Sequence, residues 1–82
     1  MKNLLTIAGS DCSGGAGLQA DLKTFAAHGV YGMSVVVSVV AENTSRVLSV
    51  CDMAPSVIRD QMDAVFEDIR VDGVKVGMLS GY

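Results

Sequence analysis

Asp21 is the most informative charge in the chain. It falls three residues after Leu18 and four before Phe25, a spacing that sets it on or beside the apolar face of an amphipathic helix. An unpaired carboxylate in that place is costly. Either backbone N–H groups tie it down as an anchor, or it addresses a ligand hydroxyl in a crevice. Glu42 comes directly after a nearly unbroken apolar run and is followed by Asn43 and Thr44. It is either part of a polar loop that ends a strand or a carboxylate able to accept hydrogen bonds from the amino group of a flat heterocycle. Asp11 sits in a loop by composition and reads as an internal acceptor for backbone N–H groups. Lys23 reads as solvated, and His28, at a helix end, is assigned no function. Met62 belongs to a helix stripe and reads as core, whereas Met78 ends a strand and is placed to cover a ring.

The glycine-rich stretch admits more than one chemistry. Gly14-Gly15 is followed by alanine with no Lys-Ser or Lys-Thr pair, so it is not a Walker A loop. Gly15-Ala16-Gly17-Leu18-Gln19-Ala20 does match the G-x-G-x-x-A dinucleotide fingerprint by letter. Its placement argues against that reading: five residues separate Gly9 from Gly15, and Glu42 lies 27 positions past Gly15 where about 20 is usual. The alternative is that these glycines permit a tight turn and close helix-to-strand packing. Cys12 and Cys51 form no metal-ligand spacing with His28 and read as free thiols.

The elements that must position these groups follow at short spacing. Leu4 to Ala8 reads as a buried strand and Ser10 to Gly15 as a loop. Leu18, Leu22, Phe25 and Ala26 mark a helix from about Gly15 to His28, with Gly29 as its stop. Met33 to Ala41 is continuously apolar and reads as a central strand covered on both faces, parallel to the first because a helix joins them. Val47 to Cys51 reads as an extra edge strand. Pro55 opens a second helix whose buried stripe is Ile58, Met62, Val65, Phe66 and Ile69, and Val74 to Met78 forms a third main strand. The order β-α-β-(β)-α-β is the opening of a doubly wound α/β sheet. Ligands bind such sheets outside the carboxyl ends of the parallel strands, here Gly9 to Ser13, Val40 to Thr44 and Met78 to Ser80.

Composition narrows the function classes. Half of the 82 residues are hydrophobic and 18% are charged. That is core-rich for a chain expected to bury only about 60% of its unfolded surface. The balance suits a piece of a larger α/β protein, and a covering partner, a homo-oligomer included, is expected for so apolar a surface. A net charge of -3 with six scattered basic residues gives no footprint for nucleic acid or an anionic membrane. The longest strongly apolar run falls far short of the roughly 20 residues of a spanning helix, and no signal-peptide core is present, so a cytoplasmic setting is expected.

The string Leu5-Thr6-Ile7-Ala8-Gly9-Ser10-Asp11, followed by Ser13-Gly14-Gly15-Ala16-Gly17-Leu18-Gln19-Ala20-Asp21-Leu22-Lys23-Thr24-Phe25, closely resembles one family. Gly29-Val30-Tyr31-Gly32, Ala41-Glu42-Asn43-Thr44 and Lys75-Val76-Gly77-Met78-Leu79 match it as well. It is similar to the hydroxymethylpyrimidine and phosphomethylpyrimidine kinases of thiamine biosynthesis, which have a ribokinase-like fold. The resemblance covers essentially the whole chain but only about the first third of the family's length. It implies that residues 1–82 are the N-terminal, substrate-binding part of a single ribokinase-like domain. It further implies that Gly9 and Asp21 meet the substrate hydroxymethyl group while Val40, Glu42 and Met78 surround the pyrimidine ring. Cys12 departs from the proline or serine associated with that position.

The implied cofactors are ATP and Mg2+. Their site and the catalytic groups belong to a C-terminal Gly-Thr-Gly-type turn that this sequence does not contain, so no catalytic or metal-binding residue is assigned within it. The complete enzyme is expected to phosphorylate a pyrimidine alcohol and then its monophosphate, and the 82 residues alone are expected to be inactive. A pyridoxal kinase of the same family, a non-catalytic pyrimidine-binding module and a dinucleotide-binding domain are the competing readings.

Overall fold

The computed structural model describes residues 1–77, and Met78 to Tyr82, with the expected role of Met78, lie outside the described residues. The elements run β1 (Asn3–Asp11), α1 (Gly17–Ala27), β2 (Tyr31–Glu42), β3 (Val47–Asp52), α2 (Pro55–Asp68) and β4 (Gly73–Val76). The strands form one sheet in the order β3-β2-β1-β4. β1 pairs in parallel with both β2 and β4, while β3 returns antiparallel to β2. This is the expected α/β opening, with the extra edge strand in place.

The two helices cover opposite faces of the sheet. Leu5, Met33 and Val35 are buried against Ile58, Met62 and Val65 of α2 and against Ile69 just past its end. Thr6, the next residue along β1, turns the other way and hydrogen-bonds Asp21 of α1. A β-carbon at Gly32 would meet Leu22 and Phe25, so α1 also lies tightly over β2. The period-2 alternation of β1 thus feeds two separate layers.

Local chemistry accounts for the boundaries. Pro55 is the first residue of α2, where its missing N–H leaves no bond unmade. α1 stops at Gly29, whose φ of 70° lets its N–H turn back to the carbonyl of Ala26. Asn43 closes the β2–β3 hairpin by accepting the N–H groups of Ser45 and Arg46 on its side-chain oxygen. Where β3 ends, the amide of Gln61 takes its place: it accepts the N–H of Val36 at 2.8 Å and donates to the Val36 carbonyl at 2.9 Å. A side chain from α2 therefore continues the ladder for one residue.

Three expectations need correction. β1 runs to Asp11 rather than ending near Gly9, because Ser10 and Asp11 continue the parallel ladder with Val39 and Val40. The register shifts between Ala8 and Gly9, leaving Val37 unmatched, and this bulge re-aims the end of β1. Phe66 is 51% exposed rather than buried, since it stands about 100° round the helix from Val65 and misses the stripe of Ile58, Met62, Val65 and Ile69. Ala26 is exposed for the same reason, one position beyond Phe25.

Candidate functional site

At the carboxyl ends of β1 and β2 a cleft of about 360 Å³ opens between the sheet and the start of α1. Ala8, Gly9, Ser10 and Asp11 of β1 form its floor. Ala16, Gly17 and Asp21 close one side, Val40 and Glu42 another, and Lys75 and Gly77 complete the rim. Four of the residues expected from the sequence, Gly9, Asp21, Val40 and Glu42, are brought together here.

The floor is narrow because backbone meets backbone. A β-carbon on Gly17 would stand 2.4 Å from the Gly9 carbonyl oxygen and 3.2 Å from the Asp11 nitrogen. Gly17 also has φ of 63°, a conformation other residues adopt at a cost. Gln19 fastens the same junction from α1, accepting the Asp11 N–H at 2.9 Å and donating to the Ser10 hydroxyl at 2.7 Å.

Asp11 is the internal acceptor that the sequence suggests, though it stands on the strand. Its carboxylate accepts the Ser13 N–H at 2.9 Å, the Ser13 hydroxyl at 2.7 Å and the Ala16 N–H at 2.8 Å. The Ser13 hydroxyl is the first reason that its carboxyl stands below the ordinary carboxylate value, with the loop N–H groups adding to it. Within the fingerprint stretch, the Ala16 N–H is therefore occupied by a side chain of the same chain. That removes one donor a phosphate would need, while the spacing argument weakens once β1 is seen to reach Asp11.

Asp21 is anchored by side chains rather than by the backbone N–H groups of the first sequence alternative. Among the described residues no backbone N–H binds it. Its Oδ2 accepts the Thr6 hydroxyl at 2.6 Å and its Oδ1 pairs with Lys75 Nζ at 2.5 Å. Burial pushes its carboxyl up, and the Lys75 ammonium and Thr6 hydroxyl together outweigh this, leaving it below its ordinary value. A carboxylate offers about four acceptor positions, so two remain for a hydroxyl in the cleft.

Glu42 meets the opposite electrostatics. Burial first, then the neighbouring Asp11 charge, raise its carboxyl above the ordinary value. The Cys12 thiol donates to the Glu42 carbonyl at 3.1 Å and accepts its N–H at 3.4 Å, which ties the loop after β1 to the end of β2. Lys23 is also more than solvated: its ammonium donates to the Gly14 carbonyl at 2.9 Å. Among the described residues no buried polar side-chain atom lacks a partner.

The paired acids give a pH signature with opposite signs. Because the folded state depresses Asp11, its contribution is present above the ordinary aspartate value and is lost as the pH falls through the lowered one. Because it raises Glu42, that contribution is present below the ordinary glutamate value and is lost as the pH rises through the raised one. A Glu42→Gln chain is therefore expected to melt at a higher temperature than the parent at neutral pH. The difference should shrink toward pH 4, and thermal scans across that range check it.

The family model described as phosphomethylpyrimidine kinase matches residues 11–81. The chain belongs to the phosphomethylpyrimidine kinase family. It is 56% identical over 78 residues to the hydroxymethylpyrimidine/phosphomethylpyrimidine kinase of Salmonella typhimurium, covering 95% of this chain and 29% of that protein. The crystal structure of phosphomethylpyrimidine kinase from Clostridium difficile 630 superposes with a TM-score of 0.95 at 56% identity, over 99% of this chain and 35% of that one. A pyridoxal kinase from Staphylococcus aureus, in complex with AMP-PCP and pyridoxal, superposes at 0.87 with 39% identity, over 99% and 30%. The chain thus spans about a third or less of each of these kinases, and its fold is that of their shared ribokinase-like portion.

Within this kinase family frame, Thr6, Gln19 and Lys75 are the site residues that sequence reasoning left out. Thr6 is a single hydroxyl in an apolar strand, fully buried. That is a legible signal, because a buried hydroxyl requires a partner.

Proposed function

We propose that the complete protein carrying these residues is a kinase that phosphorylates 4-amino-5-hydroxymethyl-2-methylpyrimidine and then its monophosphate in thiamine biosynthesis. ATP is the phosphoryl donor in this reading, and the segment described here holds the pyrimidine. The observation that carries it is the convergence of Asp21 and Glu42 on one cleft, with Val40 beside them. Asp21 is ionised, fixed at both oxygens and suited to accept a hydroxymethyl O–H. Glu42 stands across the floor, where its carboxyl accepts the ring amino group, and Val40 supplies an apolar wall for the ring.

The donor site is a separate matter. Among the described residues no group of three or more His, Cys, Asp or Glu is arranged to hold a metal ion. Among the described residues the cleft carries Asp11, Asp21 and Glu42 against the single cation Lys75, a balance that repels a triphosphate. These residues do not fit ATP or Mg2+, so in this reading the nucleotide is held by other parts of the complete protein. The partners in this reading are small molecules rather than nucleic acid or membrane, and the setting is cytoplasmic. No helix among the described residues is long and apolar enough to cross a membrane.

The similarity to a pyridoxal-bound kinase supports a second reading, in which a substituted pyridine alcohol is the substrate. The two alcohols differ at the edge that Glu42 faces, since the pyrimidine presents an amino group there. With the complete protein and ATP, the pyrimidine alcohol is expected to be phosphorylated at least about tenfold more efficiently than pyridoxal, the scale set by one charge-assisted hydrogen bond. Equal or reversed efficiencies transfer the assignment to pyridoxal, and phosphorylation of neither alcohol removes the kinase reading.

A further inference from the structure

Among the described residues Lys75 is the one cation lining the cleft, and it does not stand there alone. β4 lies beside β1 in parallel register with Lys75 opposite Thr6, so their side chains stand together on the face that α1 covers. Asp21 descends from α1 onto that pair. Thr6 donates to one oxygen and Lys75 to the other, which pins the plane of the carboxylate to two adjacent strands. The arrangement is asymmetric in exposure: the Lys75 side chain is 59% exposed and that of Asp21 only 12%. The ammonium therefore keeps its water while supplying the counter-charge that the enclosed carboxylate lacks.

We infer that Lys75, assisted by Thr6, is the positioning residue that holds Asp21 charged and oriented toward the substrate hydroxymethyl group. This rests on the reading that the cleft takes the pyrimidine alcohol. The charged groups sharing the cleft with Asp21 are Asp11 at the end of β1, Glu42 at the end of β2 and Lys75 on β4. The first two are acids, so the counter-charge to Asp21 comes from Lys75. Without Lys75, burial favours the protonated form, which donates a hydrogen bond where the substrate requires an acceptor. Lys75 thus acts through Asp21, and its loss should be felt most where Asp21 is nearest to taking up a proton.

The test is the pH profile of kcat and KM for the pyrimidine alcohol and its monophosphate, from about pH 5.5 to 9, in the complete protein. Lys75→Met is expected to lower kcat/KM about tenfold or more at the acid end and much less at the alkaline end, tenfold being the effect of one pH unit. Lys75→Arg restores the profile, and Thr6→Val moves the acid limb in the same direction by a smaller amount. A loss equal at every pH, a loss confined to the monophosphate, or a Lys75→Met profile matching the parent overturns the inference. Should Lys75→Met yield no folded protein, Thr6→Val decides, and an acid limb unchanged from the parent overturns it. A parent active on the alcohol leaves these variants testing Lys75 alone, whereas a parent that phosphorylates neither substrate removes the functional reading and this inference with it.

Discussion

Replacing Gly17 with alanine is expected to destabilise the complete protein by about 2 to 5 kcal/mol, the largest effect of any single methyl group in this region. Two costs combine. The backbone at Gly17 has φ of 63°, where a side chain adds about 1 to 2 kcal/mol. The new β-carbon also stands 2.4 Å from the Gly9 carbonyl oxygen, and that neighbour is backbone within the paired end of β1, so it cannot swing aside. Forcing it away costs about 1 to 3 kcal/mol more. The same shift moves Asp11 and Ser10, which line the cleft, so substrate affinity should fall together with stability. Urea denaturation followed by substrate titration checks both. A loss below about 1 kcal/mol, with unchanged affinity, contradicts the close approach of α1 to β1.

Asp21→Asn should instead leave the fold intact and lower kcat/KM for the pyrimidine alcohol about 10- to 100-fold, the value of a hydrogen bond to a charged group. Asparagine has nearly the same shape and still accepts the Thr6 hydroxyl, while Lys75 is exposed enough to return to water. In the proposed reading the missing component is the negative charge that would orient the substrate O–H. The melting temperature should therefore change little while turnover falls, the reverse of the Gly17→Ala pattern. Steady-state kinetics beside a thermal scan separates the two, and an Asp21→Asn chain with parental kcat/KM removes Asp21 from the site.

The difference between these variants parallels what could be read from the sequence. The helical spacing of Leu18, Asp21 and Phe25 is a local pattern, and it places the carboxylate against the sheet without knowledge of the sheet itself. Glu42 is equally legible, because an acid following an apolar strand in an α/β chain falls at the ligand edge. What holds Asp21 was not legible. Thr6 and Lys75 are 69 residues apart and meet only through the β1–β4 register, which no local periodicity specifies. Lys75 by itself, between Val74 and Val76, looks like one solvated position of a strand.

The end of β1 was hidden for a related reason. Ser10 and Asp11 have loop-like composition, yet the parallel pairing with Val39 and Val40 outweighs their preference, and the bulge at Ala8 and Gly9 makes that pairing geometrically open to them. Phe66 shows the limit of a helical stripe. Neighbouring apolar positions lie about 100° apart, and only packing against the sheet decides which of Val65 and Phe66 faces inward. The role of Cys12 as a tie to Glu42 likewise depends on two segments 30 residues apart.

The claim on which the rest depends is that the cleft between β1, β2 and α1 is the pyrimidine pocket. A crystal structure of the complete protein with the pyrimidine alcohol, without nucleotide, tests it most directly. The hydroxymethyl oxygen is expected within hydrogen-bond distance of Asp21, the ring against Val40 and the amino group on Glu42, while Lys75 remains paired to Asp21. A ring bound elsewhere, or bound here with its hydroxymethyl group turned away from Asp21, contradicts the account.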